Sequence, residues 1–193
     1  MRVTSLLLFA AAALADIYAN RVTFINQDDI PRTVYFTPSV DLGCIQVPPL
    51  HIGPYKAVTQ GFPEEWQGMW FAQKQGEPQR VGMLGEVRFD GYEGKTFFDV
   101  SGIDSPGDWH NVKKLYPAQS KEPSSGCDVF WCDNAYWAPN DVQTKVTDEK
   151  HLVQTLGDRP ADRQAYAAMG ITREKRSIGE KFNKAVVRAE QEK

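Results

Sequence analysis

The sequence predicts an all-β sandwich with long irregular loops and a C-terminal helical extension. Three observations lead there. Short runs rich in β-branched and aromatic residues recur at close spacing between turn signals. The 12 Pro and 15 Gly among 193 residues suit a fold of short strands and many turns. Past residue 157 the composition shifts to Ala, Glu, Lys and Arg, with apolar residues near helical spacing.

Residues 1–15 read as a secretory signal. Arg2 is the positive end, "LLLFAAAAL" (6–14) is an apolar run too short to span a bilayer, and Ala13-Leu14-Ala15 is an A-x-A cleavage site that leaves Asp16 as the new N-terminus. No later stretch approaches the roughly 18 apolar residues of a membrane helix. The chain is therefore expected to be exported, extracellular or in a cell wall, with no membrane partner. "RVTFINQDDIPRTVYFTP" (21–38) reads as two strands around the polar turn "NQDDIP". A strand is expected at about 55–60, and "WQGMWFAQK" (66–74), "GMLGEVRF" (82–89) and "KTFFDVS" (95–101) supply further strands. Residues 105–145 read as irregular, because "SPGDW", "YPAQSKEPSSGCD" and "WAPND" are loop signals. The domain boundary is placed at 157/158. Residues 158–193 then form a charged extension with one short and one longer helix, and "REKR" (173–176) is either a charged helix face or a dibasic processing site.

Charge is segregated. Residues 16–157 carry 12 Lys+Arg and 19 Asp+Glu, a net charge of −7, whereas residues 158–193 carry a net +3. An acidic body disfavours nucleic acid, whose affinity comes from basic patches, and suits a neutral or cationic partner. The cysteines are Cys44, Cys127 and Cys132. In an oxidising compartment Cys127 and Cys132 are the expected disulfide, although any two of the three could bond. The chain is expected to be a monomer unless Cys44 pairs between chains. No zinc pattern is present and no metal or cofactor is expected, because His51, His110 and His151 are scattered and no paired C-x₂-C knuckles occur.

The densest chemistry lies in "GEVRFDGYEGKTFFDVSGID" (85–104), two strands around a Gly-rich turn with acids at Glu86, Asp90, Glu93, Asp99 and Asp104. Side chains alternate along a strand. Glu86 and Arg88 therefore share one face, Asp99 and Phe97 share one face, and Val87, Phe89, Phe98 and Val100 turn to the core. Arg88 is placed to pair with an acid across the strands. Asp90 and Glu93 sit in the turn and are expected to be solvated. A second candidate is "WCDNAYWAPND" (131–141), whose Trp131, Tyr136 and Trp137 form either a satellite hydrophobic cluster or an aromatic platform for a flat ligand.

The same segment carries a family resemblance. "MLGEVRF…KTFFDVSGID" resembles the thaumatin-like proteins, in which a "TLAEF" strand precedes "FYDVSLVDG". Leu84-Gly85-Glu86-Val87 stands for L-A-E-F, Phe98-Asp99-Val100-Ser101 for Y-D-V-S, and Ile103-Asp104 for V-D. "VTFINQ…RTVYF" is similar to the family's opening hairpin, and "GMWFAQ" to its I-W-A-R strand. The texture of "SGCDVFWCDNAYWAPNDVQT" is similar to small secreted fungal members linked with conidial germination and yeast-phase expression, some of them labelled deoxyribonuclease. The likeness covers about residues 21–157. The chain departs from plant members in its few cysteines, and Gln73 stands where the family has its cleft arginine.

The resemblance implies a β-sandwich with an acidic cleft, cell-wall association, β-1,3-glucan binding and, in some members, weak glucanase activity. Carried over, it marks Glu86, Asp99 and Asp104 as cleft residues. Three readings of these acids follow: a solvated face, a binding cleft, or a catalytic pair with Glu86 and Asp99 as candidates. Glycoside hydrolysis needs two carboxyls roughly 5–5.5 Å apart for retention or 6.5–9.5 Å for inversion. A nuclease needs acids, a general base and a basic track, and His110 in "GDWHNVKK" is the candidate base, with an acid and two lysines nearby. The expected function is non-catalytic binding of cell-wall polysaccharide or an extracellular protein, with a weak hydrolase as the alternative.

Overall fold

The computed structural model describes residues 18–105 and 107–169. The signal segment, the longer helix expected beyond residue 170 and the dibasic sequence lie outside the described residues. Ten strands form two facing sheets: β1 (Asn20–Asn26), β2 (Arg32–Pro38), β3 (Leu50–Ile52), β4 (Ala57–Phe62), β5 (Gln67–Lys74), β6 (Leu84–Arg88), β7 (Thr96–Ser101), β8 (Val112–Pro117), β9 (Lys145–Thr147) and β10 (His151–Leu156). One sheet runs β4-β1-β10-β8 and the other β3-β2-β5-β6-β7-β9. A helix, α1 (Pro160–Ala168), follows.

The inner faces interleave aromatics. Phe24, Phe36, Phe62 and Trp70 are buried and meet at ring separations of 5.4–6.4 Å, close to the edge-on and tilted arrangements that aromatic pairs favour. Val87, Phe89, Phe98 and Val100 join this core, as alternation predicts. Trp70 Nε1 donates to Gln154 Oε1 across the sandwich at 3.2 Å. That contact explains Gly85, since a Cβ there would come within 2.5 Å of both atoms.

Two expectations need correcting. The strands of residues 21–38 are not a hairpin. β1 pairs with β4 and, in parallel, with β10, whereas β2 pairs with β3 and β5. "NQDDIP" is a corner that carries the chain from one sheet to the other. The stretch read as irregular contains β8, which completes the first sheet beside β10. Its pattern is disguised because Lys113 is fully buried.

Buried charges hold these connections. Arg32 is 1% exposed and grips Asp28 with two hydrogen bonds of 2.5 and 2.8 Å. It also donates to Asn26 Oδ1, His110 O and Asn111 Oδ1, tying the corner to the loop before β8. Burial pushes the Asp28 carboxyl up, but hydrogen bonding and charge from Arg32 outweigh it, and the group titrates below the usual carboxylate range. Lys113 Nζ donates to Asp158 Oδ1 at 2.8 Å and to Tyr166 Oη at 3.0 Å. His110 Nδ1 bonds the other Asp158 oxygen, and the Phe130 amide donates to Tyr166 Oη. Helix α1 is thereby fixed to the body through Tyr166. The Asp158 carboxyl, raised by burial but lowered further by His110 and Lys113, titrates at about 2.

Removing one partner of a buried pair leaves the other charge stranded, at a cost of about 3–5 kcal/mol. Arg32→Leu should therefore destabilise the fold by that amount in urea unfolding, and Asp28→Asn/Arg32→Leu by clearly less. The depressed carboxyls of Asp28 and Asp158 fix the acid limb. Their stabilisation is present above the ordinary carboxylate pKa and is lost as pH falls through their lowered folded values, about 2 for Asp158.

Candidate functional site

The outer face of the six-stranded sheet carries the acids, and strand register decides how they meet. Glu86 lies directly opposite Asp99 across β6 and β7, and opposite Met69 on β5, which in turn faces Thr37 on β2. The result is one row across four strands: Thr37, Met69, Glu86, Asp99. The next row outward holds Gln67, Arg88 and Phe97. The row on the other side brings Tyr35 against Phe71, stacked at 5.3 Å. A groove of about 280 Å³ opens over the first two rows, lined by Thr37, Gln67, Met69, Glu86, Arg88, Phe97 and Asp99, with Thr144 at one wall.

The two carboxyls are cross-strand neighbours, and the negative charge of Asp99 acts directly on Glu86. Two carboxylates offer acceptors only, so a proton kept by one of them relieves their repulsion. Burial, then the negative charge and hydrogen bond of Asp99, then the charge of Asp104 push Glu86 up to about 8. Asp99 is also raised by burial, but less freely, since hydrogen bonds from Glu86 and Thr144 and the charge of Lys145 favour its ionised form. Thr144 Oγ1 donates to Asp99 Oδ2 at 3.3 Å. Tyr136 Oη lies 2.9 Å from that hydroxyl and accepts from the Thr144 amide at 3.2 Å. Asp99 Oδ1 is buried with no backbone, amide, hydroxyl or cationic donor among the described residues, and Gln67 Oε1 in the same groove is likewise unpaired.

The other expected residues are distributed around this centre. Asp104 is exposed on the loop after β7 and reaches Glu86 through its field. Tyr136 touches the site through Thr144. Trp137 packs on the core, against Phe130 at 5.8 Å, and is anchored by Nε1 donating to Cys132 O. Trp131 is 57% exposed and lies 5.7 Å from the Trp137 ring. Cys127 and Cys132 are bonded and staple this loop, and Cys44 is free and half-buried. Trp131 and Trp137 do not line the groove.

Two expectations about neighbouring residues change. Arg88 makes no ion pair among the described residues, because its cross-strand partners are Gln67 and Phe97. Asp90 is not a free turn residue. It accepts from Asn20 Nδ2 at 2.5 Å and from the Glu65 amide at 3.0 Å, and it pairs with Lys150. Glu93 is exposed, as expected, and among the described residues pairs with Lys95 at 3.8 Å. His110 belongs to the buried Asp158 cluster and does not line the groove. Thr37, Gln67 and Met69 were not singled out from sequence, since only the pairing of β2, β5 and β6 brings them to the acids. Thr144 had no signal beyond its place in a loop.

No protein-family model matches the chain. It is 48% identical over 136 residues to the antigenic protein SchS21 of Stachybotrys chartarum, spanning 70% of this chain and 93% of that protein. The chain belongs to the SchS21 family. Among solved structures it is similar to the protein elicitor MoHrip2 from Magnaporthe oryzae, with a TM-score of 0.49, 14% identity and 72% of this chain against 99% of that one. It is also similar to the thaumatin-like xylanase inhibitor TLXI, with a TM-score of 0.47, 13% identity and coverage of 70% and 97%. Among the described residues of this SchS21 relative, no cluster of His, Cys, Asp and Glu suited to a metal ion occurs, and no helix is long and apolar enough to cross a membrane.

A carboxyl raised in the folded state stabilises the fold below its unfolded pKa and loses that contribution as pH rises through the folded value. Stability should therefore fall between about pH 4.5 and pH 8 on account of Glu86. Glu86→Gln keeps a donor toward Asp99 and has no charge to lose. It should be more stable than the parent at pH 8 by on the order of 1–2 kcal/mol, solvent in the open groove screening the rest, and nearly equal at pH 4. Urea unfolding at both pH values checks the sign.

Proposed function

We propose that this chain is a secreted thaumatin-like protein that binds a cell-wall polysaccharide in the groove above Glu86 and Asp99 and does not cleave it. The observation carrying this reading is the groove itself: Glu86 and Asp99 stand directly opposite each other on adjacent strands, flanked by Met69 and Phe97. A glycosidase pair stands roughly 5–9.5 Å apart, so that an anomeric carbon, with or without a water, fits between. Glu86 and Asp99 lie side by side on one sheet face rather than across a cleft from each other. They can instead accept hydrogen bonds from sugar hydroxyls, while Met69 and Phe97 offer apolar surface to a ring face and Gln67 and Thr37 add polar contacts. Small grooves of this kind hold a sugar unit of a longer chain rather than a globular partner.

The extracellular assignment rests on the signal-like segment 1–15, on a disulfide that persists in oxidising compartments, and on the description of its relative as an antigenic protein. We read residues 16–157 as the binding domain and 158–193 as its charged extension, of which α1 is docked. The exposed Trp131 is a secondary contact for a long chain.

Sedimentation with insoluble β-1,3-glucan, coupled to an assay for new reducing ends, tests the proposal. The parent should co-sediment and release nothing. Asp99→Ala should lose about tenfold or more in affinity, and Trp131→Ala about two- to fivefold, as one partly exposed ring contact. Reducing ends released by the parent and abolished by Glu86→Gln would overturn the non-catalytic reading.

A further inference from the structure

The groove's floor has an unusual want. Asp99 is 8% exposed and lines the groove, yet its Oδ1 has no ordinary donor. Beside it, Glu86 keeps a proton that a carboxyl in water would have released. The pair is thus short of positive charge and of N–H donors at one spot. The nearby cations do not fill it. Lys145 acts on Asp99 through its field, but its Nζ donates to Gln143 Oε1 at 3.2 Å. Arg88 lines the neighbouring row of the same groove, two residues along β6 from Glu86, a spacing of about 6.6–6.8 Å, and pairs with neither acid. The other titratable groups facing the pair are Asp104, which adds negative charge, and Tyr136, which reaches it only through Thr144.

An ammonium group meets this want: it offers three N–H donors and one positive charge in a compact head. On a sugar ring it comes with an apolar face for Phe97 and Met69 and with hydroxyls for Gln67 and Thr37. Building on the polysaccharide reading above, we propose that the groove prefers chains of amino sugars over neutral glucans, with a glucosamine ammonium bridging Glu86 and Asp99. When the ammonium enters, the Glu86 O–H bond breaks and its proton passes to solvent, leaving two carboxylates around one cation. N-acetylation removes the charge and two of the three donors, so an acetylated chain is disfavoured.

The test uses the full chain and three probes of equal length: hexamers of β-1,4-glucosamine, of β-1,4-N-acetylglucosamine and of β-1,3-glucose. Titration calorimetry at pH 6, in two buffers of different ionisation heat, counts protons. The glucosamine hexamer should bind about 10–100-fold more tightly than either neutral hexamer, as expected for charge-assisted hydrogen bonds, and should release about one proton per site. Glu86→Gln, which can still donate to Asp99, should abolish the proton release and cut the preference about tenfold. Equal affinity for all three hexamers overturns this inference and leaves the polysaccharide reading intact. A glucosamine preference unchanged in Glu86→Gln and in Glu86→Gln/Asp99→Asn also overturns it, because the attraction is then that of the acidic body as a whole. Failure of all three hexamers to bind a chain shown to be folded by its circular dichroism overturns both.

Discussion

The register of β6 on β7 is the constraint on which the site depends. Side chains alternate, so a slip of one residue would send Glu86 and Asp99 into the core and Val87 and Phe98 into solvent. The aromatic core resists that slip, with Val87, Phe89, Phe98 and Val100 all buried. Packing on the inner face therefore positions two acids side by side on the outer face. Their repulsion is relieved by a retained proton rather than by a cation. Gly85 belongs to the same constraint, since the Trp70 indole and the Gln154 amide occupy the space a larger side chain would need.

The first sheet rests on different physics. Its central pairing, β1 with β10, is parallel and joins opposite ends of the chain. Local turn chemistry cannot specify such a pairing. Buried charges hold its surroundings: Arg32 with Asp28 at the corner between sheets, and Lys113 with Asp158 and Tyr166 under α1. Pairs of this kind add little net stability relative to apolar replacements. They do make each wrong docking of the corner or the helix expensive, because a mispaired arrangement would bury an uncompensated ion.

This division explains what was legible in the sequence. The β6–β7 hairpin was readable because Glu86 and Asp99 alternate with the core residues Val87, Phe98 and Val100 around a Gly-rich turn, and the meeting of Glu86 and Asp99 followed from alternation together with family resemblance. β8 was hidden because Lys113, a residue that ordinarily marks a solvent face, points inward. Asp90 looked like a solvated turn acid, and Asp28 was one residue of a polar turn, because their partners, Asn20, Lys150 and Arg32, are recruited by tertiary structure. The groove walls were invisible for the same reason. Thr37, Gln67, Met69 and Thr144 lie on segments far apart in the chain, and no local pattern distinguishes a groove wall from any other outward-facing strand residue.

The central claim is that Glu86 and Asp99 hold one proton between them at neutral pH. Carboxyl-carbon NMR of the intact chain, labelled at Glu and Asp and assigned with Glu86→Gln, reads it directly. The Glu86 resonance should titrate near pH 8 and should respond when Asp99 is changed to Asn. A Glu86 resonance that titrates at the ordinary glutamate value of about 4.3, indifferent to Asp99, would contradict the account.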